Sequence, residues 1–404
     1  MSLRVLCLDI EGGHGGSSRS LYESIRHMDG AASLEVWCRR GGAIESRYAA
    51  LGVPVTVRPD MPKVTALPRL SRSLYTFADF SRRWMRTGDF RTQLVEHAAR
   101  MDVVHLNHES LFWLCRWLRR NTSVAVTMHI RTCPWDSLFA RLQARTIRHN
   151  VDAAAFISEN ERRNLERQAG GPIGGRIIYN IAPPALADIA PHPAVPQDGR
   201  LRIACLSNYT YTRGTDRIID LAAALVRRGR RDFTFVVAGE MALSGSLPGE
   251  LGRIGRHGGT LADYAAARQV EDMFLFLGHV AEPERVLDAC DMLIKPTREA
   301  NPWGRDILEA LAAGRPAISV GSYDRFVETG VTGILQEAFD ADDLADRLIA
   351  LDADRSAIRR MGDAGRARVA SLCDGPSRAA ELLDLWNDAA RATLSRRQDA
   401  ANAA

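Results

Sequence analysis

Lysine is nearly missing from this chain. Of its 53 basic residues, only Lys63 and Lys295 are lysines. Positive charge is therefore carried almost wholly by planar guanidinium groups that stay protonated. Long apolar runs are missing as well. No segment approaches the roughly 18 consecutive apolar residues of a membrane-spanning helix. The opening Met1–Ile10 is too short, and too soon followed by Glu-Gly-Gly, to read as a signal peptide. It reads instead as a first buried strand. The seven cysteines are scattered, odd in number and without metal spacing. They are expected to be reduced core residues of a cytoplasmic protein. The pair Asp352-Ala-Asp354 lies in a polar helical stretch and reads as a solvated face rather than a strand-end metal site. No His/Cys cluster has zinc spacing, so nothing in the sequence asks for a metal. The Gly-x-Gly-x-x-Gly fingerprint with its acidic residue about 20 positions on is absent, which argues against a nicotinamide dehydrogenase. No nucleic-acid-binding module is recognised, and no nucleic-acid partner is expected.

What is present is a globular composition over 404 residues, 46% apolar and 25% charged, enough for two domains with their own cores. Short apolar runs at 5–10, 34–38, 53–57, 103–106, 124–129 and 153–157 read as buried strands. Helical patterns at 18–28, 77–101, 111–120, 138–148 and 159–168 lie between most of them. Five prolines within residues 181–200 mark a linker. A second alternating set follows, with strands at 202–206, 233–238, 273–277, 292–295, 317–320 and 333–335. An amphipathic helix covers 376–394, and the last ten residues are expected to fray. Such β/α alternation predicts two doubly wound parallel sheets, with ligands outside the carboxyl ends of the strands. The expected division is 1–185, 200–375 and a tail, 376–404. Charge is uneven: residues 1–190 hold 26 basic and 18 acidic residues, and the remainder 27 and 31. The basic first half suits an anionic surface or acceptor.

Four segments carry chemistry. Glu11-Gly-Gly-His-Gly15-Gly16-Ser-Ser follows the first strand and opens a helix, so its backbone can approach a bound anion closely. Val124-Ala-Val-Thr-Met-His129-Ile-Arg131 ends an apolar run with a histidine and an arginine, and His105 ends the preceding strand. Leu206-Ser-Asn208-Tyr-Thr-Tyr-Thr-Arg213-Gly214 opens the second half. Arg298-Glu-Ala-Asn301-Pro-Trp303-Gly304-Arg305-Asp306-Ile-Leu-Glu309 reads as a strand end, a tight turn and a helix start. Asn301 and Pro302 are expected to cap and open that helix. Its first amides would then bind phosphate or sugar oxygens, and Glu309 would take a vicinal diol.

The last segment resembles the donor signature of retaining GT-B glycosyltransferases of family 4, Glu-x-Phe-Gly followed four residues later by Glu. Asn301 stands in the place of the first Glu, and Glu309 is the second. Arg213 stands where that family has Lys, and Asn208 where it has Arg. Val-x-Thr-x-His129 and the Gly15–Gly16 loop resemble the family's first-domain elements. The resemblance implies two Rossmann-like domains facing each other across a cleft, the first binding acceptor and the second donor, with the terminal helix crossing back to the first. It implies a metal-independent retaining transfer from a nucleotide sugar, without a resident cofactor. His129, Arg213 and Asn301 would serve the reaction. Gly15, Gly16, Asn208, Arg213, Trp303, Gly304, Arg305, Asp306 and Glu309 would hold the donor. Arg131 would lie on the acceptor side, His105 would line that side or make a core hydrogen bond, and Arg19, Arg298 or Arg305 would make up for the missing cation. The acceptor class stays open among lipid-linked sugars, polysaccharides and small metabolites.

Two other readings stay open. Asn301 and Asn208 fit a degenerate protein of this fold that binds without transferring, and a sugar-nucleotide epimerase shares the fold. The basic, aromatic-rich segments 69–91 and 113–120 fit either peripheral contact with an anionic membrane or helices packed into the core with snorkelling arginines.

Overall fold

The computed structural model describes residues 2–12, 16–63, 73–183, 189–299 and 301–402. The chain divides into two compact units, residues 1–181 with 373–404, and residues 182–372.

In the first unit the strands are β1 (Leu3–Asp9), β2 (Ala32–Cys38), β3 (Val55–Val57), β4 (Val103–Leu106), β5 (Ala125–Ile130), β6 (Ala153–Phe156) and β7 (Gly175–Ile177). They pair in parallel in the order β3-β2-β1-β4-β5-β6-β7. β1, β4 and β5 are apolar on both faces because helices cover both sides of the sheet. The helices are α1 (Gly16–Arg26), α2 (Ile44–Ala50), α3 (Ser73–Met85), α4 (Gly88–Ala98), α5 (Phe112–Asn121), α6 (Leu138–Asn150) and α7 (Glu159–Ala169). Ser158 caps α7 by accepting from Asn160 N at 3.0 Å, and Gly170 ends it in the left-handed region.

The second unit holds β8 (Leu201–Leu206), β9 (Phe233–Ala238), β10 (Phe274–Gly278), β11 (Met292–Lys295), β12 (Ala317–Val320) and β13 (Gly333–Gln336). These are parallel as well, in the order β10-β9-β8-β11-β12-β13. The helices here are α8 (Arg217–Arg227), α9 (Gly249–Arg256), α10 (Leu261–Ala267), α11 (Pro283–Ala289), α12 (Arg305–Ala312), α13 (Ala341–Ala353) and α14 (Arg355–Leu372). Both sheets are doubly wound, and the strand order reverses between β1 and β4 in one and between β8 and β11 in the other. Loops at these switch points leave the sheet in opposite directions, and so leave a crevice at the strand ends.

Several expectations are corrected. The helical pattern over 77–101 is two helices. Thr87 Oγ1 turns back to Trp84 O at 2.8 Å and Gly88 follows, so the chain breaks there and restarts. β7, α2 and α9 were not legible, being short or Gly-rich. The tail does not fray at 395: α15 (Gly375–Asn402) continues, held by Arg396 to Asp152 and Arg397 to Ser123 O. It packs on α1 and on β4, β5 and β6, burying Leu382, Leu385 and Trp386 in the first unit's core. The described part of the Pro-rich stretch is docked within the second unit, where His192 N donates to Arg285 O and Arg285 Nε donates to Ala190 O. None of the seven cysteines is in a disulfide, and all but Cys133 are buried. Among the described residues no helix is long and apolar enough to cross a membrane.

Candidate functional site

At the first switch point the end of β1 meets the end of β4. Asp9, fully buried, accepts from Asn107 Nδ2 at 3.1 Å and from the Ser18 hydroxyl. Burial raises its carboxyl to about 6, although Ser18, Asn107 and Arg131 pull the other way. Arg131, just past β5, donates to Asn107 O at 2.9 Å, Asn107 Oδ1 at 2.6 Å and Asn180 Oδ1 at 3.1 Å. Its own backbone N–H donates to Glu109 Oε2 at 2.9 Å. Gly12 lies where the chain passes the β2 exit so closely that a Cβ would stand 2.1 Å from Arg40 O. Gly16 opens α1, whereas Gly15 lies outside the described residues.

His129 and His105 are brought together. His105 Nε2 is 3.0 Å from His129 Nδ1, and His105 Nδ1 is 2.9 Å from Thr127 Oγ1. Trp386 closes over His105 with its edge, at 5.3 Å between ring centroids. Desolvation pushes the His105 imidazole down to about 3, and it pushes His129 down as well, with the Arg131 guanidinium adding to both. Both rings are thus neutral at physiological pH. His105 and Arg131, expected on an acceptor-facing surface, are instead packed beneath the strand ends. His105 has no exposed surface and Arg131 is 9% exposed.

At the second switch point the loop after β8 meets the loop after β11. Gly214 has φ +71°, and a Cβ there would stand 2.1 Å from Pro296 O. Only glycine admits this approach. Arg298 N donates to Thr212 O at 2.7 Å, and its guanidinium grips Asp216 bidentately at 2.8 and 2.5 Å while lying over Tyr211. Arg298 is therefore the clamp that holds the two loops together, and not a spare cation. Arg213 is exposed and donates to Ser207 Oγ at 3.1 Å. Asn208 Oδ1 accepts from Glu240 N at 2.9 Å, which joins the β8 exit to the β9 exit.

The donor-like segment differs locally from expectation. Asn301 and Pro302 do not cap the helix. It starts at Arg305, with Gly304 at the cap position and no side-chain cap. The reason is anchoring upstream. Pro302 O accepts from Ser319 Oγ at 2.5 Å, and the buried Trp303 ring stacks on Phe326 at 4.9 Å. Lys295, at the end of β11, reaches across to Trp303 O at 2.6 Å and to Asp306 Oδ1 at 3.4 Å. A Cβ on Gly304 would lie 2.5 Å from that ammonium, so glycine leaves it room. Glu309 is one turn into α12 and pairs with Arg305 Nε at 3.1 Å, each side chain 15% exposed. Among the described residues, Asn301 Oδ1 is buried with no hydrogen-bond partner. A separate 420 Å³ depression is lined by Asp324, Arg325, Glu328, Arg368, Ser371 and Leu372, none of them in the donor frame.

The basic aromatic patch is largely turned inward. Phe80 is buried, Trp84, Trp113 and Trp117 are half-buried, and the Arg91 guanidinium lies 4.6 Å from the Trp84 ring and 4.5 Å from that of Trp117. Exposed apolar side chains lie beside it at Met85 and on the β5–α6 turn at Trp135 and Leu138. Sequence reasoning missed Asp9, Asn107, Thr127, Asp216 and the supporting role of Trp386. A signal existed for Asp9, as a carboxylate near the end of an apolar run just before glycines, and for Thr127, which stands in the Val-x-Thr-x-His129 segment.

Residues 191–368 match the family described as glycosyl transferases group 1, and residues 15–180 match the glycosyl transferase 4-like domain. Over 290 residues the chain is 27% identical to a GDP-mannose-dependent alpha-(1-6)-phosphatidylinositol monomannoside mannosyltransferase of Mycobacterium tuberculosis, which covers 66% of this chain and 71% of that one. Its fold is similar to that of Anabaena HepE in complex with UDP and glucose, with a TM-score of 0.73 at 18% identity over 96% of this chain and all of that one. Sucrose-phosphate synthase from Thermosynechococcus elongatus gives a TM-score of 0.72 at 16% identity, over 96% and 98% of the two chains. With two doubly wound units, a tail helix returned to the first, and family matches to both halves, the chain belongs to the group 1, family 4 type of GT-B glycosyltransferases.

Proposed function

We propose that this glycosyltransferase moves a hexosyl or related sugar from a nucleotide-sugar donor to an acceptor hydroxyl, with retention of anomeric configuration. The observation that carries the donor assignment is the second switch point. There the Asn301–Glu309 frame runs into a helix N-terminus, the buried Asn301 oxygen has no partner among the described residues, and Arg213 is exposed in the β8 exit loop. Glu309 would accept from the two ribose hydroxyls. A carboxylate has about four acceptor sites, so its pairing with Arg305 leaves capacity for a diol. Asn301 Oδ1 would accept from a sugar hydroxyl, and the amides from Trp303 to Asp306 would bind sugar and phosphate oxygens. Arg213 and the partial positive charge of the α12 N-terminus would stabilise the departing diphosphate, so the proposed step uses no metal ion. Asn208 carries no charge and its Oδ1 accepts from Glu240 N, so the cation of the 207–214 loop is Arg213.

In the transfer the bond from the anomeric carbon to phosphate oxygen breaks and the bond to the acceptor oxygen forms. The acceptor proton passes to the departing phosphate. Retention and departure from the same face rest on the family likeness. The mycobacterial relative's lipid acceptor, together with exposed Met85, Trp135 and Leu138 among arginines, favours a lipid-linked acceptor reached at an anionic membrane face. Co-sedimentation with vesicles rich in anionic lipid checks this, and equal recovery with neutral vesicles would sink it.

Calorimetry of Glu309→Ala with UDP and GDP tests the donor site. Nucleotide affinity is expected to fall about 100-fold or more, as two charge-assisted hydrogen bonds are lost. Unchanged affinity would remove the assignment. Release of sugar from UDP-glucose or GDP-mannose by the pure protein would exclude a binding-only role.

A further inference from the structure

The histidine pair can be given a direction. Thr127, His105 and His129 form a line of three buried polar groups joined by two hydrogen bonds, of 2.9 and 3.0 Å. Thr127 and His105 have no exposed surface, and His129 is 3% exposed. The hydroxyl brings one donated hydrogen. Each neutral imidazole has one N–H and one bare nitrogen.

Two proton arrangements fit the two contacts. In one, His105 carries its hydrogen on Nδ1 and donates to Thr127, and His129 donates from Nδ1 to His105. The Thr127 hydroxyl hydrogen then has no acceptor, since among the described residues His105 is its only side-chain partner. In the other, the Thr127 hydroxyl donates to His105 Nδ1, His105 Nε2–H donates to His129 Nδ1, and the hydrogen of His129 sits on Nε2. The donors of Thr127 and His105, the two groups with no exposed surface, are then both satisfied, and the one N–H left over is that of His129 Nε2, on the only ring of the three with any exposure. An enclosed donor without an acceptor bears the full desolvation cost, so the second arrangement prevails.

We infer that Thr127 and His105 are positioning residues that fix the tautomer of His129, so that His129 presents an Nε2–H donor beyond the end of β5. A neutral ring of that tautomer has no bare nitrogen left to take a proton, since Nδ1 is already an acceptor. His129 therefore recognises an oxygen of the ligand, a hydroxyl or a phosphate oxygen, and does not act as a general base. Burial of both rings and the nearby Arg131 keep the pair neutral, which preserves the direction across physiological pH. His105 has no exposed surface and packs against Trp386 at 5.3 Å between ring centroids, so no water competes for its nitrogens. The functional part of this inference rests on the proposed placement of His129 at the ligand. The tautomer itself does not.

Nitrogen-15 spectra of the imidazoles in the full-length, ligand-free protein test it. Wild type is expected to show both His105 and His129 as neutral Nε2–H tautomers at pH 7. Thr127→Val, nearly isosteric, should shift His129 toward a mixture, and Thr127→Ser should restore the wild-type pattern. Thr127→Val should also lower kcat/KM about tenfold, with UDP or GDP affinity unchanged, the size of one misdirected hydrogen bond. An Nδ1–H tautomer for His129 in wild type, or a His129 spectrum unmoved by Thr127→Val, overturns the relay. Because the spectra need neither donor nor turnover, a failure of the relay is separable from a failure of the glycosyltransferase reading.

Discussion

The two switch points share a topology and differ in chemistry. In the first unit Asp9, Asn107, Arg131 and the histidine pair satisfy one another below the surface. In the second, the interlocked part is the Arg298–Asp216 clamp with Gly214 against Pro296, while Arg213 and Asn208 stay exposed. The difference teaches that one crevice is fixed by its own hydrogen bonds, whereas the other leaves a cationic side chain exposed. A buried network whose members are hydrogen-bonded to one another resists reorganisation. An exposed guanidinium on a clamped loop is available to an anion whose own desolvation is modest.

Removing the floor of the first site should have the largest effect. Trp386→Ala deletes a fully buried indole over His105, and is expected to cost about 3–5 kcal/mol in denaturant unfolding. A loss under about 1 kcal/mol would mean that α15 is not part of that core. The buried Asp9 gives a pH signature of the same order. Its folded value of about 6 lies above the ordinary 3.8, so the folded state holds a proton that the unfolded chain has released. The stabilisation is complete below about 3.8 and is lost as pH rises through 6. The difference in unfolding free energy between wild type and Asp9→Asn should therefore fall by about 2 kcal/mol from pH 4 to pH 7. A flat difference would show that Asp9 is not desolvated.

Arg213→Gln should reverse the balance in the second unit. Its stability is expected to stay within about 0.5 kcal/mol of wild type, because the side chain is exposed. Turnover of the nucleotide sugar should drop about 100-fold, as an uncompensated leaving diphosphate demands. Equal losses of stability and turnover would make Arg213 a structural residue. The smallest effect is expected for Asn208→Ala, which frees Glu240 N from its cap. It should lower stability by about 1 kcal/mol, seen as a small shift in Tm.

The central strands were legible because they are apolar runs buried on both faces, and Phe233–Ala238 and Met292–Lys295 were bounded correctly from that alone. The start of α12 was not. Asn301-Pro302 has the composition of a cap, yet the contacts of Trp303 with Phe326 and of Pro302 with Ser319 hold the chain extended for three more residues. Those partners are remote in sequence, so no local propensity could report them. Arg298 illustrates the same limit, since a basic residue beside a donor motif reads as a ligand until its bidentate partner Asp216 is seen.

By itself the sequence determined the two alternating sheets, the family and the place of the donor frame at a strand end, because period, glycine and charge are local properties. The tertiary structure alone decided which of those charges are already spent and which way the histidines point. Whether a polar group is available depends on the partner that folding brings within 3 Å of it, and that partner is set by the packing of distant strands and the returning tail helix.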